Sequence, residues 1–323
     1  VSGLRLIVAD TRIEEGEQLS SSDFDTAYLQ GMDFGEAKYD LDKLKETTEQ
    51  GMILICWWDV FAEEWVYEWI CGPIYGQQEA GLIWKVTLMH NLTTELGFRE
   101  AKNMESVYYH PERKTIVICH VDDPLVKTVS EEETEWFHEQ LNRLFQMKEK
   151  KVLSNTEPMD WCSIRISLNE DGEVRLDNQL KIEEYGKIHG LQDCKPVSSP
   201  ITKAMVQGLT ESREAKAKDS EKEQESTREM LGQAQWLAQT THPVLAPAVS
   251  MYASLVKDGV KGSNKAMRHL HKYIQGMKDR CLVRRKGECQ GLEVFSDADY
   301  AGMYKATNGE EKRSRTGIEV TYN

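Results

Sequence analysis

Apolar residues recur along the chain at spacings that predict both strands and helices. Residues 115–121 alternate β-branched and other apolar side chains, which predicts a buried strand, and this strand resumes at Leu125 after Asp122 and Asp123. Residues 84–96 carry a tryptophan and three leucines at helical spacing, and Gly97 follows as a C-cap. We therefore expect Asp122 and Asp123 at a hairpin turn that follows a helix.

A second helix and a second strand pair are predicted after this turn. Ser130 and Glu133 have the spacing of a capping box, and an apolar stripe continues from there to residue 145. Residues 161–168 and 173–176 predict two strands joined by a turn. With a strand near Asp23, the order is strand, helix, two strands, helix, strand, which is ferredoxin-like. That order predicts Asp23 and the hairpin on adjacent strands of one sheet.

The remainder of the chain is mainly helical in its pattern. Residues 211–229 are rich in Glu, Lys, Ser and Asp, which indicates either a solvated helix or a flexible linker. Residues 230–255 and 266–277 have helical apolar spacing, interrupted around His242 and Pro243. We expect this helical region to form a separate part of the protein.

Composition narrows the class of protein. The 323 residues include 40% hydrophobic residues, enough for two or three small cores, and no apolar run approaches the ~18 residues of a membrane span. Seven cysteines are scattered without Cys-x-x-Cys spacing, which argues against a zinc site and favours reduced thiols in an intracellular setting. The chain is acidic, with 40 basic and 54 acidic residues.

Asp23, Asp122 and Asp123 are the candidate chemical groups. Carboxylate oxygens are the ligands that Mg²⁺ prefers, and a pair of such ions roughly 3.5–4 Å apart can stabilise a transferring phosphate. Taken alone, the Asp-Asp pair is more often simple turn chemistry, and Asp23 after three serines could cap a helix. Their neighbours make the metal interpretation stronger.

Six segments in order resemble the reverse transcriptase of Ty1/copia-type retrotransposons. They are RLIV (5–8), DFDTAYL (23–29), IYG (74–76), HVDD (120–123), DCKPVSSP (193–200), and SDADYAG (296–302) with RSRTG (313–317). The resemblance implies an α+β right-hand polymerase fold with a ferredoxin-like palm, a helical thumb or connection, and a truncated ribonuclease H-like segment. The implied regions are partial fingers and palm (1–210), a charged linker (211–229), thumb or connection (230–287) and the ribonuclease H-like segment (288–323).

The resemblance also assigns roles to residues. Asp23, Asp122 and Asp123 would be catalytic and would bind Mg²⁺ or Mn²⁺, and Tyr28 would support the incoming sugar, although its pattern also fits a core aromatic residue. Gly76 and Gln78 would contact substrate. The implied partners are an RNA template, a DNA primer, deoxynucleoside triphosphates and the other Pol polyprotein segments, in a cytoplasmic virus-like particle or the nucleus. Asp297 matches the first ribonuclease H carboxylate, but the later acids are absent, so we expect no ribonuclease H activity.

The sequence leaves open which residues, if any, would bind nucleic acid. A net charge of −14 is unfavourable for binding phosphates, and residues 77–79 lack the basic side chains of the family. The candidate nucleic-acid contacts are Lys265, Arg268, Lys272, Arg284 and Arg285, although a solvated helix face followed by a basic loop is an equal interpretation. Six aromatic residues at 57–69 among acids favour a core or a protein contact over base stacking. A degenerate, non-catalytic copy that keeps the fold and binds nucleic acid or protein is the alternative to an active polymerase.

Overall fold

The structure is a computed structural model that describes Leu4, residues 15–33 and 53–284 (without the side chain of residue 53), and the backbone of residues 292–299 and 315–322. The chain is a mixed α and β protein. It divides into two compact units, one of residues 2–162 and one of residues 163–323. The boundaries that we predicted at residues 210 and 229 remain predictions.

The first unit contains most of the strands. Its elements in chain order are β1 (Gln18–Ser21), a 3₁₀ turn (Ala27–Gln30), β2 (Ile53–Asp59), β3 (Glu64–Ile70), α1 (Ala80–His90), a π-helical turn (Asn91–Glu95), β4 (Arg99–Glu100), β5 (Val107–Tyr109), β6 (Ile116–His120), β7 (Asp123–Thr128), α2 (Glu131–Leu144), β8 (Lys151–Val152) and β9 (Met159–Trp161). Six strands form an antiparallel sheet in the order β4-β5-β6-β7-β1-β8, and β2 with β3 forms a separate hairpin.

Strands β1, β6 and β7 and helices α1 and α2 occur in the predicted order, but β4 and β5 stand between α1 and β6, and the last strand is a different one. Strand β8, next to β1, follows α2, whereas we predicted the last strand at residues 161–168. That predicted strand is broken, because Cys162 and Ser163 both have left-handed backbone angles, with φ of 49° and 63°. A two-residue strand such as β8 carries too little periodicity to be recognised in a sequence.

The core of the first unit lies where α1 and α2 pack with one face of the sheet. Trp84 and Leu88 of α1 are spaced four residues apart, as are Phe137 and Leu141 of α2, so each pair lies on one face of its helix. All four side chains are buried together with residues of β6 and β7. Helix α1 begins at Ala80, four residues before the predicted start, and Gly97 follows the π-helical turn with φ of 75°.

The predicted capping box at the start of α2 is half present. The Ser130 hydroxyl accepts a hydrogen bond from the Glu133 backbone N–H at 3.3 Å, as expected. The Glu133 carboxylate, however, binds the Arg113 guanidinium, with both oxygens at 3.0 Å from Nη1. An ion pair with a guanidinium, in which both partners are charged, is stronger than a bond from an uncharged backbone N–H to the same carboxylate, which explains the departure.

The second unit is mainly helical. Its elements are β10 (Ile164–Leu168), β11 (Val174–Asp177), α3 (Gln179–Ile188), α4 (Lys203–Glu214), α5 (Glu221–Gln239), a 3₁₀ turn (Pro243–Leu245), α6 (Ala246–Leu255), a second 3₁₀ turn (Lys257–Gly259), α7 (Ser263–Gln275), β12 (Leu282–Arg284), β13 (Leu292–Asp299) and β14 (Arg315–Tyr322). Strand β11 pairs with β10 and β12, and β13 pairs with β14, all antiparallel.

The helices of the second unit enclose one apolar core. Met230 and Leu237 of α5, Tyr252 of α6 and Leu270 of α7 are fully buried in it. The predicted interruption is confirmed, since α5 ends at Gln239 and a 3₁₀ turn begins at Pro243. Of the charged segment 211–229, residues 211–214 and 221–229 are helical, in agreement with the solvated-helix alternative. No helix in the described part of the chain is long and apolar enough to cross a membrane.

Candidate active site

Asp23, Asp122 and Asp123 lie close together at one end of two paired strands. Asp23 follows β1, Asp122 is in the turn of the β6–β7 hairpin, and Asp123 is the first residue of β7. Strands β1 and β7 are antiparallel neighbours, with Ser21 opposite Leu125. Beyond this pair, the backbone N–H of Phe24 donates to the carbonyl of Asp122 at 2.9 Å. The prediction that Asp23 and the hairpin lie on adjacent strands is confirmed.

Two indole groups hold the main chain of the acidic turn. Trp84 Nε1 donates to the Val121 carbonyl at 2.7 Å, and Trp161 Nε1 donates to the Asp123 carbonyl at 3.1 Å. The turn needs such support, because Val121 is β-branched and has φ of 56°, a conformation that such residues rarely adopt. Sequence analysis identified neither donor, since both bonds join residues distant in the chain.

The proline directly after the acids does not disturb the hairpin. The pairing runs without a break from His120–Asp123 through Cys119–Pro124 to Ile118–Leu125, although Pro124 has no backbone N–H to donate. In an antiparallel ladder, pairs that exchange hydrogen bonds alternate with pairs that do not. Cys119 and Pro124 follow the pair that closes the two-residue turn, so β6 requires no N–H from Pro124.

A cluster of buried aromatic rings lies next to the acids. The ring of Phe24 contacts Trp84 edge to face with centroids 4.9 Å apart, and it contacts Phe145 at 5.3 Å. Trp84 and Phe145 are themselves 5.4 Å apart, and all three side chains are buried. Because Phe24 is the neighbour of Asp23 and Trp84 binds the hairpin, the same cluster positions both parts of the site.

The charges of the site interact with one another. Burial raises the pKa of Asp123, and the carboxylates of Asp122 and Asp23 raise it further. Lys148 forms an ion pair with Asp23 Oδ2, and this bond raises the pKa of the lysine above its usual value. Lys148 is a residue of the site that sequence reasoning missed, because it lies 125 residues from Asp23 and carries no local signal.

The chemistry of the three acids suits a hard cation, although their side chains are not arranged around one. Three carboxylates supply oxygen ligands of the kind that Mg²⁺ and Mn²⁺ take. Across residues 15–33 and 53–284, however, no group of three or more Asp, Glu, His or Cys side chains has an arrangement that could hold a metal ion. The acids are thus brought together by the fold, while Asp23 is directed to Lys148.

The residues that were predicted to contact substrate differ in their burial and in their contacts. Tyr28, in the first 3₁₀ turn, is half-buried, and its ring lies 4.9 Å from that of Tyr75 at an angle of 43°. A Cβ on Gly81, in α1, would lie 3.7 Å from the Tyr28 hydroxyl. Gly76 follows Tyr75 and has φ of 95°, and Gln78 is exposed. Tyr28 and the segment that contains Gly76 are therefore neighbours.

The predicted nucleic-acid contacts are partly on one helix face. Lys265, Arg268 and Lys272 are at positions i, i+3 and i+7 of α7, and Arg268 Nη1 donates to the His189 carbonyl at 3.0 Å. Arg284 ends β12, whereas Arg285 lies outside the described residues. Asp297 is in β13, of which only the backbone is described.

The aromatic segment 57–69 is not a core. Trp58, Trp65, Tyr67 and Trp69 of the β2–β3 hairpin are each between 48% and 62% exposed, and the Trp58 and Trp65 rings touch edge to face at 5.8 Å. The expectation of a core for this cluster is wrong, and a protein contact or base stacking remains. Two paired strands alone have no second layer against which to bury both faces.

Comparison with known proteins identifies distant relatives of this chain. No protein-family model matches the chain. Retrovirus-related Pol polyproteins from the Arabidopsis thaliana transposons RE1 and RE2 are each 25% identical to it over 241 residues, which is 73% of this chain. The chain spans 16% of the length of these relatives.

One solved structure is also similar, at a low level. It is a telomerase from Candida albicans in complex with the TWJ fragment of telomeric RNA, with 10% identity and a TM-score of 0.38. The similarity covers 83% of this chain and 51% of the telomerase chain. The sequence comparison is what relates this chain to retrotransposon Pol polyproteins.

Proposed function

We propose that the chain is an RNA-directed DNA polymerase of a Ty1/copia-type retrotransposon, with Asp23, Asp122 and Asp123 as its catalytic carboxylates. The observation that carries the proposal is the convergence of these acids, two of them about a hundred residues from the third, at one end of the paired strands β1 and β7. The similarity to retrotransposon Pol polyproteins supports it. In this proposal the six-stranded sheet with α1 and α2 is the palm, and the helices of the second unit are the thumb or connection.

The carboxylates would act by holding two divalent cations. Bound Mg²⁺ or Mn²⁺ would lower the pKa of the primer 3′-hydroxyl and neutralise the triphosphate. Burial and the acidic neighbours of Asp123 raise its pKa, which disfavours its ionised form, and a bound cation would favour that form. The Trp84 and Trp161 bonds would keep the acidic turn in one position during the reaction.

Other residues would bind the substrates. Tyr28, held against Tyr75, would lie under the incoming sugar and exclude a 2′-hydroxyl, with Gly76 and Gln78 nearby in the chain. Lys265, Arg268, Lys272, Arg284 and Arg285 would contact phosphates of the template and primer. The protein would work with the other Pol segments inside the cell, in a cytoplasmic virus-like particle or the nucleus.

Primer extension on an RNA template tests the proposal. The purified chain is incubated with primer, deoxynucleoside triphosphates and either Mg²⁺ or Mn²⁺. We expect template-dependent extension that falls by at least about 100-fold in Asp122→Asn, because a lost metal ligand removes several kcal/mol of transition-state stabilisation. The matched control is Asp171→Asn, the same change at an exposed turn of the second unit, and it should extend at the wild-type rate.

Two outcomes would contradict the polymerase. One is a folded wild-type protein that extends no primer with either metal, and the other is an Asp122→Asn variant as active as the wild type. If salt-sensitive binding of a primer–template duplex accompanied the first outcome, the chain would be a non-catalytic copy that retains nucleic-acid binding.

A further inference from the structure

Lys148 places a positive charge on one of the three candidate metal ligands. Its ammonium pairs with Asp23 Oδ2, and the Asp23 side chain is only 30% exposed. Asp25 and Asp122 act on the same ammonium and favour its charged form. Lys148 therefore offsets part of the mutual repulsion of these acids.

The backbone around Lys148 is bound to the segment that contains Asp23, directly after β1. The Lys148 N–H donates to the Asp23 carbonyl at 2.8 Å, and the Asp25 N–H donates to the Gln146 carbonyl at 2.9 Å. The Gln30 side chain clamps the same loop, since its amide accepts from the Gln146 N–H at 2.6 Å and donates to the Gln146 carbonyl at 3.0 Å. The ammonium is thus held within reach of Asp23 by two main-chain hydrogen bonds and one side-chain amide.

A divalent cation at Asp23 would compete with Lys148 for the same carboxylate. An ammonium and a metal ion repel each other, so they cannot share one carboxylate at close range without a cost. The Lys148 side chain is 60% exposed and has a flexible four-carbon stem, so it can move into solvent when a metal arrives.

We propose that Lys148 is an internal competitor for the metal site, which weakens divalent-cation binding at Asp23 until it is displaced. The proposal rests on the proposed function in assuming that the three acids bind a metal. It assigns to Lys148 a role in metal occupancy, and it predicts that removing the ammonium strengthens metal binding even in the absence of nucleic acid and nucleotide.

Mn²⁺ binding tests this directly, without any measurement of activity. Free Mn²⁺ is followed by electron paramagnetic resonance during titration of the whole chain at low salt. We expect Lys148→Met to bind Mn²⁺ about two- to fivefold more tightly than the wild type, the range that an exposed ion pair allows. Lys148→Arg keeps the charge and should resemble the wild type.

The matched control is Lys150→Met, two residues away. Lys150 pairs with Glu135, outside the acidic site, so this variant changes the net charge equally but should leave Mn²⁺ affinity at the wild-type value. In Asp23→Asn, a further Lys148→Met change should no longer tighten binding. A melting curve for each variant verifies that it is folded.

The outcomes separate the two proposals. Equal Mn²⁺ affinity of Lys148→Met and wild type, or an equal gain in Lys150→Met, would overturn the role of Lys148 while leaving the metal site intact. Absence of Mn²⁺ binding in all folded variants would overturn the metal site and the role of Lys148 together.

Discussion

Two buried histidines are expected to make the stability of the chain depend on pH. His271 of α7 is fully buried, and its Nε2 bonds to the Met230 carbonyl at 2.9 Å. His138 of α2 is 4% exposed and bonds through Nε2 to the Ser20 hydroxyl at 2.9 Å. Burial is the largest cause that lowers the pKa of each to about 4. Both are therefore neutral in the folded protein at mildly acidic pH.

The magnitude follows from the difference between folded and unfolded states. An unfolded histidine titrates near 6.5, so below that pH the unfolded chain binds protons that the folded chain does not. Stability is thus fully present above about pH 6.5 and is lost as the pH falls towards 4. At about pH 5, each histidine lowers the free energy of unfolding by about 2 kcal/mol relative to about pH 7.

Hydrogen exchange followed by mass spectrometry can measure the two effects separately, because His138 and His271 lie in different compact units. Peptides from α2 and α7 report the opening free energy of each unit at about pH 5 and pH 7, after correction for the intrinsic exchange rate. The comparison is with His138→Gln and His271→Gln, which do not titrate.

Each variant is expected to lose about 2 kcal/mol of the pH dependence in its own unit and none in the other. A lower stability of the variant at pH 7 does not affect this difference between pH values. If His271→Gln and the wild type showed the same change between the two pH values in α7, the linkage argument for His271 would be refuted.

Two further substitutions test single contacts. Trp84→Phe keeps a buried ring but removes the bond to the Val121 carbonyl. Chemical denaturation should show that the free energy of unfolding falls by about 1–2 kcal/mol, and primer extension should be slower. Unchanged stability would mean that the turn is held by other contacts. Ser220→Ala removes the complete capping box of α5 and should cost about 1 kcal/mol by the same measurement. The contrast is Ser250→Ala, at an exposed position in the middle of α6, and an equal effect of the two changes would argue against the cap.

Features that depend on neighbouring residues were predictable. The turn after β10 follows from the residues at 169–172: the Asn169 N–H donates to the Glu173 carbonyl at 3.0 Å, and Gly172 has φ of 74°. The interruption at Pro243 follows equally from local chemistry, because proline lacks the N–H that a helix interior requires. Asp122 could be predicted in a turn because two acids interrupt a strand pattern at that point.

Other features depended on residues far apart in the chain. Glu133 was predicted to cap its own helix, but Arg113, twenty residues earlier, takes its carboxylate. The aromatic residues at 57–69 were expected in a core or a protein contact, and the structure leaves the tryptophans exposed. Apolar content shows that a segment can be buried, whereas burial itself requires a second surface to cover it.

The sequence by itself determined which acids were candidates, the elements that carry them and the relationship to retrotransposon Pol proteins, because these depend on residue type, short-range spacing and order. Only the tertiary structure decided that Asp23 meets the hairpin through Phe24 and Asp122, that two indoles hold the turn, and that Lys148 binds Asp23. These contacts join residues between 37 and 125 positions apart, and such pairs are set by packing of the whole unit rather than by local preference.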